Sequence, residues 1–143
     1  YELMIQDYNP FEVGATVGMF IKPSDIHVMK KERVCNTFEG VMVSPTRVEM
    51  LGAEFDCAEC GMQAGDEVRV RVDFGKVELL DNKEDGTLTG EVHFILYKGN
   101  RYHLTVVTDG GDNIYVDTDD IWDNCDLVGI SIAPENMRIT KRV

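Results

Sequence analysis

An all-β fold is predicted for this chain by three features of its sequence. A strand, a proline turn and a second strand recur along it, apolar and polar residues alternate at a period of two, and no segment carries a sustained apolar stripe at helical spacing. Short strands separated by closely spaced glycine turns pack as small barrels or a sandwich.

The recurrence carries most of the argument. Val17 to Lys30 aligns without a gap on Val128 to Lys141, with Val, Gly, Ile, Pro and Lys in register. Val68 to Leu79 keeps the apolar skeleton, with Phe74 where the others have proline. The spacing of roughly 50 to 60 residues lies near the upper edge of the usual repeat range. Tyr1 to Ile5 reads like Tyr102 to Val106, and Met50 to Cys57 parallels Tyr97 to Leu104. Gly90 to Gly99 has no counterpart ahead of Tyr1, so three units are expected. Residues 1–34 form a partial unit whose opening strand is missing, 35–86 a middle unit and 87–143 a C-terminal unit, in a piece of a longer protein.

Taken in order, Pro23-Ser24-Asp25-Ile26 is a candidate helical turn, because proline is tolerated at a first helical position. Ser44-Pro45, Ala64-Gly65-Asp66 and Glu84-Asp85-Gly86 mark turns. Val68, Val70 and Val72 alternate with Arg69, Arg71 and Asp73, which puts one strand face in a core and the other in water. Tyr102, Leu104 and Val106 alternate in the same way with His103 and Thr105. The flanking Lys98-Gly99-Asn100 and Asp109 to Asp112 segments read as hairpin loops. Pro134-Glu135-Asn136-Met137 repeats the first turn. The predicted core is therefore Val17, Ile21, Val28, Val68, Val70, Val72, Leu104, Val106, Val128, Ile132 and Ile139.

At 143 residues, 43% hydrophobic and 28% charged, the chain suits one soluble globular domain or two small ones. No run approaches the ~20 apolar residues of a membrane span and no signal peptide opens the chain, so a cytoplasmic location is expected. The net charge of −12 opposes nucleic-acid binding, which needs clustered Lys and Arg, and favours a cationic partner.

No catalytic, cofactor or metal site is predicted. A phosphate-cradling loop would end in Lys followed by Ser or Thr, and the nearest glycine spacing, Gly14-Ala15-Thr16-Val17-Gly18, is not followed by that pair. Cys57-Ala58-Glu59-Cys60 has the gap of half a zinc site, which Cys35 and Cys125 would have to complete. A second close pair is lacking, and Cys57 is read as a small buried apolar residue. His27, His93 and His103 are spaced too irregularly for a ligand set and read as partly exposed strand residues.

Two segments resemble a known family. Gly90 to Tyr102, with Val92, Tyr97, Lys98 and Gly99 at its fixed positions, and Val128 to Ile139, with Ile130, Pro134 and Glu135, are similar to the TOBE domain. That domain is the small OB-type barrel following the nucleotide-binding domain in ATPase subunits of ABC importers. Gly99 followed by Tyr102, together with Ile21 to Lys31, is most similar to the C-terminal end of spermidine/putrescine importer ATPases. The family's turn usually reads Arg-Pro-Glu, where this chain has Lys22-Pro23-Ser24, Asp73-Phe74-Gly75 and Ala133-Pro134-Glu135.

The resemblance implies small OB-like (TOBE) barrels in tandem and an accessory or regulatory role that supports contacts between ATPase subunits. ATP and Mg would be bound elsewhere in the longer protein and not here. The implied partners are a second ATPase subunit, in a homodimer, and membrane permease subunits at the cytoplasmic face of the plasma membrane. Two other readings remain. One is a free-standing oxyanion-binding protein, which the negative charge opposes unless turn N–H groups make a local positive site. The other is an OB-fold oligonucleotide binder, for which Arg47, Arg69, Arg71 and Phe74 are few.

One acidic stretch stands out. Between Tyr102 and Met137 there is no Lys or Arg, while Asp117, Asp119, Asp120 and Asp123 cluster around Trp122, the chain's single tryptophan. Carboxylates beside an aromatic face are groups that hold a polyamine, so these five are the candidate binding residues. The plainer expectation is a solvated loop that maintains solubility and keeps a sheet edge from pairing.

Overall fold

The computed structural model describes residues 11–25 and 34–143. The chain divides into units 1–33 and 34–143. The described part of the first carries a 3-10 turn at Pro23–Asp25, as its proline predicts, and no strand.

The second unit has ten strands. These are β1 (Cys35–Ser44), β2 (Arg47–Met50), β3 (Ala53–Asp56), β4 (Glu67–Asp73), β5 (Val77–Leu80), β6 (Leu88–Tyr97), β7 (Tyr102–Thr108), β8 (Asn113–Thr118), β9 (Leu127–Ile132) and β10 (Arg138–Lys141). They form two five-stranded sheets in the orders β10-β4-β1-β2-β3 and β5-β9-β6-β7-β8, and every pairing is antiparallel. The second run of five strands therefore repeats the path of the first. The last strand of each run crosses to the other sheet, β5 onto β9 and β10 onto β4. Each crossing passes through a 3-10 turn, Phe74–Lys76 or Pro134–Asn136, at the recurrent proline position.

Both sheets face one hydrophobic cluster. Val68, Val70 and Val72 are fully buried, as are Leu104, Val106 and Val128, and Ile132 is nearly so. The period-two alternation dictates this, because successive side chains of a strand point to opposite faces. Ile139 is partly buried against the same cluster. Val17 and Ile21 depart from expectation, being 52% and 49% exposed. Among the described residues no strand pairs with that segment, and an apolar strand face is buried only when neighbouring strands carry it into a core. Val28 lies outside the described residues.

The repeat also corrects one alignment. Met50 to Cys57 spans the β2–β3 turn and β3, whereas Tyr97 to Leu104 spans the β6–β7 turn. The structural equivalents are fixed by glycines opposite matching partners. Gly40 pairs with Met50 and Val68, and Gly90 pairs with Thr108 and Val128. A Cβ there would stand 2.6 Å from Glu49 O or 2.8 Å from Val107 O, so both strands need glycine for close packing. Bulges follow at Met42/Ser44 and Val92/Phe94. Counting from these, Cys57 corresponds to Val116, not Leu104. The misleading match arose because a glycine turn recurs at both hairpins.

One buried polar side chain ties the sheets together. Asn36 on β1, 4% exposed, donates from Nδ2 to Tyr115 O at 2.8 Å and accepts from Tyr115 N–H at 2.9 Å. It thereby satisfies both backbone groups of a residue on the outermost strand of the other sheet. Removing it strands two polar groups, each worth ~1–3 kcal/mol when left unpaired. We expect Asn36→Ala to lower unfolding free energy by about 2 kcal/mol or more in urea denaturation.

Candidate functional site

The candidate site lies where the end of β8 meets the start of β5. Asp117 is the penultimate residue of β8, and the ladder places it opposite His103 of β7. His103 Nδ1 lies 2.5 Å from Asp117 Oδ1, with Lys98 Nζ at 3.7 Å and Arg101 Nη1 at 3.8 Å from the same carboxylate. The side chain of Asp117 is only 12% exposed. The His103 ring stacks on Tyr115, 4° from parallel with centroids 5.8 Å apart, and tilts against Phe74 at 5.2 Å. Asp117 is thus not a solvated loop carboxylate. It anchors the β6–β7 hairpin, whose tip carries Lys98 and Arg101.

Beyond Asp117 the chain turns, with Asp120 N–H donating to Thr118 Oγ1 at 3.1 Å. This turn and the start of β5 border a groove of about 460 Å³. Its charged lining is Lys76, Glu78, Asp117, Asp119 and Asp120, with Asn136 from the facing 3-10 turn. Three of the five candidate residues therefore come together. Trp122 and Asp123 do not line the groove. Trp122 packs against the core, and its Nε1 is buried without an acceptor. Asp123 is exposed, and its N–H donates to Asp126 Oδ2 at 2.7 Å.

Lys76, Glu78, Lys98, Arg101 and Asn136 were not nominated from sequence. The His103–Asp117 pair was not legible either: counting outward from the Asp109 to Asp112 segment sets 103 against 118, whereas the observed ladder, with Thr108 N–H on Asp112 O and Val107 opposite Asn113, closes one residue earlier. Bringing β5 against the end of β8 depends on strand exchange, which has no local signal.

The other candidates are placed elsewhere. Phe74 is 6% exposed and offers no face for base stacking. Arg47 is paired with Glu54 at 3.1 Å and Asp56 at 3.0 Å. Its guanidinium is held above its ordinary value, first by the hydrogen bond to Asp56. His93 is the extra residue of the β6 bulge, exposed beside Glu91, and His27 lies outside the described residues. Among the described residues no group of three or more His, Cys, Asp or Glu side chains is placed to hold a metal ion. No helix among them is long and apolar enough to cross a membrane.

With the geometry established, the fold is that of a small all-β, OB-like barrel. The molybdate-bound form of the cytoplasmic molybdate-binding protein ModG superposes with a TM-score of 0.66, covering 79% of this chain and all of that one. At 18% identity this likeness is one of fold.

Sequence comparison is more specific. No family model matches the chain. The spermidine/putrescine import ATP-binding proteins PotA of Bacteroides fragilis and Bacteroides thetaiotaomicron are 59% and 60% identical to it over 142 residues. The PotA protein of Desulfitobacterium hafniense is 27% identical over 132 residues. The alignments with the Bacteroides proteins cover 99% of this chain and 31% of each relative, so the chain spans about a third of their length. It is a homologue, over nearly its whole length, of one part of these ATP-binding proteins, as the resemblance read from its sequence implied.

The thiols give a test of the packing. Cys57 is 4% exposed in the core, and burial, reinforced by Cys60 and Asp56, pushes its pKa above the ordinary thiol value. The unfolded thiol ionises first as pH rises. Burial of Cys57 therefore contributes full stability below the ordinary pKa of about 8.5, and this declines toward the folded value. We expect iodoacetamide at neutral pH to label the exposed Cys125 and spare Cys57, as read by peptide mass spectrometry. Equal labelling rates would contradict the buried placement.

Proposed function

We propose that this chain is the C-terminal accessory and regulatory region of the ATP-binding subunit of a spermidine/putrescine importer. The observation that carries this reading is the 59–60% identity to PotA proteins across 99% of the chain. In this reading ATP and Mg bind to another part of the longer protein, and the region contributes no catalytic residue. Its partners are a second ATP-binding subunit and the membrane permease subunits, at the cytoplasmic face of the membrane. Residues 35–86 and 87–143 act as two structural repeats of one body. The oxyanion reading is disfavoured because Glu78, Asp119 and Asp120 face the groove and repel an anion.

The test has two arms. Calorimetry on the isolated chain should show no stoichiometric ATP binding. Deleting the region from the longer protein should leave nucleotide binding in the remainder while impairing spermidine uptake or its regulation. Unchanged uptake would remove the accessory role, and tight ATP binding by this chain would remove the division of labour.

The acidic candidates fit a sensor only weakly. Asp117 already faces His103, Lys98 and Arg101, which leaves Asp119 and Asp120, both exposed, for an incoming amine. Exposed pairs contribute ~0–1 kcal/mol each and are screened over about 8 Å at physiological salt. Spermidine should therefore associate weakly and without saturation, and disappear with added salt. Saturable micromolar binding lost when Asp117, Asp119, Asp120 and Asp123 are changed to Asn would instead make the groove a polyamine sensor.

A further inference from the structure

The link from β3 to β4 carries three sulfur side chains to the core. Cys57 follows β3 directly, with its N–H donating to Thr46 O at 2.9 Å, and it is 4% exposed. Cys60 and Met62 are partly buried and pack against the same cluster. Between them Gly61 takes a left-handed conformation, φ 75°, that glycine adopts without strain and that turns the chain back to the barrel after Cys60. Beyond the effect of burial, the charge of Cys60 opposes ionisation of Cys57, so the two thiols stand within electrostatic reach of each other.

Barrel closure does not account for this set. The matching link from β8 to β9 ends in the same turn, since Gln63 N–H donates to Asp66 Oδ2 at 3.0 Å and Asp123 N–H to Asp126 Oδ2 at 2.7 Å. Gly65 N–H on Met42 O and Cys125 N–H on Val92 O then tie each turn to its own sheet. Counting back from the turns sets Met62 against Trp122 and Cys60 against Asp120, while Cys57 corresponds to Val116. The second half therefore closes with a tryptophan on the core, an exposed carboxylate and a buried valine, and it uses no sulfur there.

We propose that Cys57, Cys60 and Met62 form a binding site for a soft monovalent cation, copper(I). Two cysteines separated by two residues can close on one ion, and a methionine two positions further on adds a third sulfur. Thiolate and thioether ligands select copper(I) over harder divalent ions. A structural zinc ion takes four ligands, and among the described residues no further His, Cys, Asp or Glu joins the pair. Copper(I) is satisfied by two or three sulfurs. Cys60, at the rim, is the entry ligand and Cys57 the inner one. Each thiol releases its proton to solvent as its sulfur bonds to the metal, Met62 donates a lone pair, and no electron is transferred. This inference goes beyond the importer reading and does not depend on it.

Anaerobic titration of copper(I) into the 143-residue chain, with bathocuproine disulfonate as competing chelator, tests it. The titrated protein carries Cys35→Ser and Cys125→Ser, which leaves only the thiols of the pair. We expect one copper(I) per chain, a thiolate-to-copper band in the ultraviolet and sulfur-only coordination by X-ray absorption. Cys57→Val introduces the residue found at the matching position of the other half, and Cys60→Ser alters a partly exposed side chain, so far-UV circular dichroism should not change in either. Each should weaken binding by at least about a hundredfold, because one of two chelating thiolates is lost. Met62→Leu should weaken it less and keep the stoichiometry. Affinity should increase as pH rises, since two protons leave when the metal enters. A chain that yields all its copper(I) to the chelator, or whose affinity is indifferent to Cys60→Ser, overturns the proposal. So does zinc(II) binding of comparable affinity, which would rule out a site selective for a soft ion.

Discussion

The exchange of β5 and β10 between the sheets is the constraint on which the rest of this unit depends. Each run of five strands builds four strands of its own sheet and lends its fifth to the other. The central strands β4 and β9 are thereby flanked on both sides, and their inward residues Val68, Val70, Val72, Val128, Ile130 and Ile132 all fall within one shared core. Full burial of such a side chain is worth ~1.5–3 kcal/mol. A run that kept its fifth strand would leave the partner's central strand open on one side. The 3-10 turns at Phe74–Lys76 and Pro134–Asn136 mark the crossings.

What the sequence disclosed divides along the same line. Period-two alternation located the buried faces of β4, β7 and β9, because strand geometry alone decides which side chains share a face. Glycine and proline located the hairpin at Lys98 to Asn100, the loop at Asp109 to Asp112 and both proline turns. Alternation cannot supply a neighbour, however. Val17 and Ile21 carry the same apolar pattern as Val128 and Ile132, yet they are exposed where no described strand flanks them. Nor could short-range similarity separate the β2–β3 turn from the β6–β7 turn, since a glycine between two strands looks alike in both. Only the long-range register of Gly40 and Gly90 does so.

The candidate site shows the same division. Five acidic-loop residues looked equivalent in sequence, but the fold gives them four different roles. Asp117 ends a strand and is drawn inward by His103 and two cations from a hairpin tip, so its charge serves the fold before any ligand. Asp119 and Asp120 border the groove, while Trp122 contributes to the core and Asp123 shapes its own turn. Composition reports the total charge of such a stretch. It does not report which carboxylates are already neutralised, and that depends on cross-strand partners 14 or more residues away.

The comparison of the two halves also separates what the barrel needs from what it does not. Where they agree, as at Gly40 and Gly90, at the paired bulges and at the buried valines, the fold accounts for the residue. Where they differ, packing is no explanation. The β6–β7 hairpin runs past the length of its β1–β2 counterpart and carries Lys98 and Arg101 to the side of Asp117. The link from β3 to β4 carries Glu59 and Asp66, while the corresponding link from β8 to β9 carries Asp119, Asp120, Asp123 and Asp126 and borders a groove. A repeat under no other demand would tolerate the shorter hairpin and the less charged link in both halves. Among the described residues, the extended β6 edge and the Asp119–Asp120 groove are thus two places where the halves differ and barrel closure does not account for the residues.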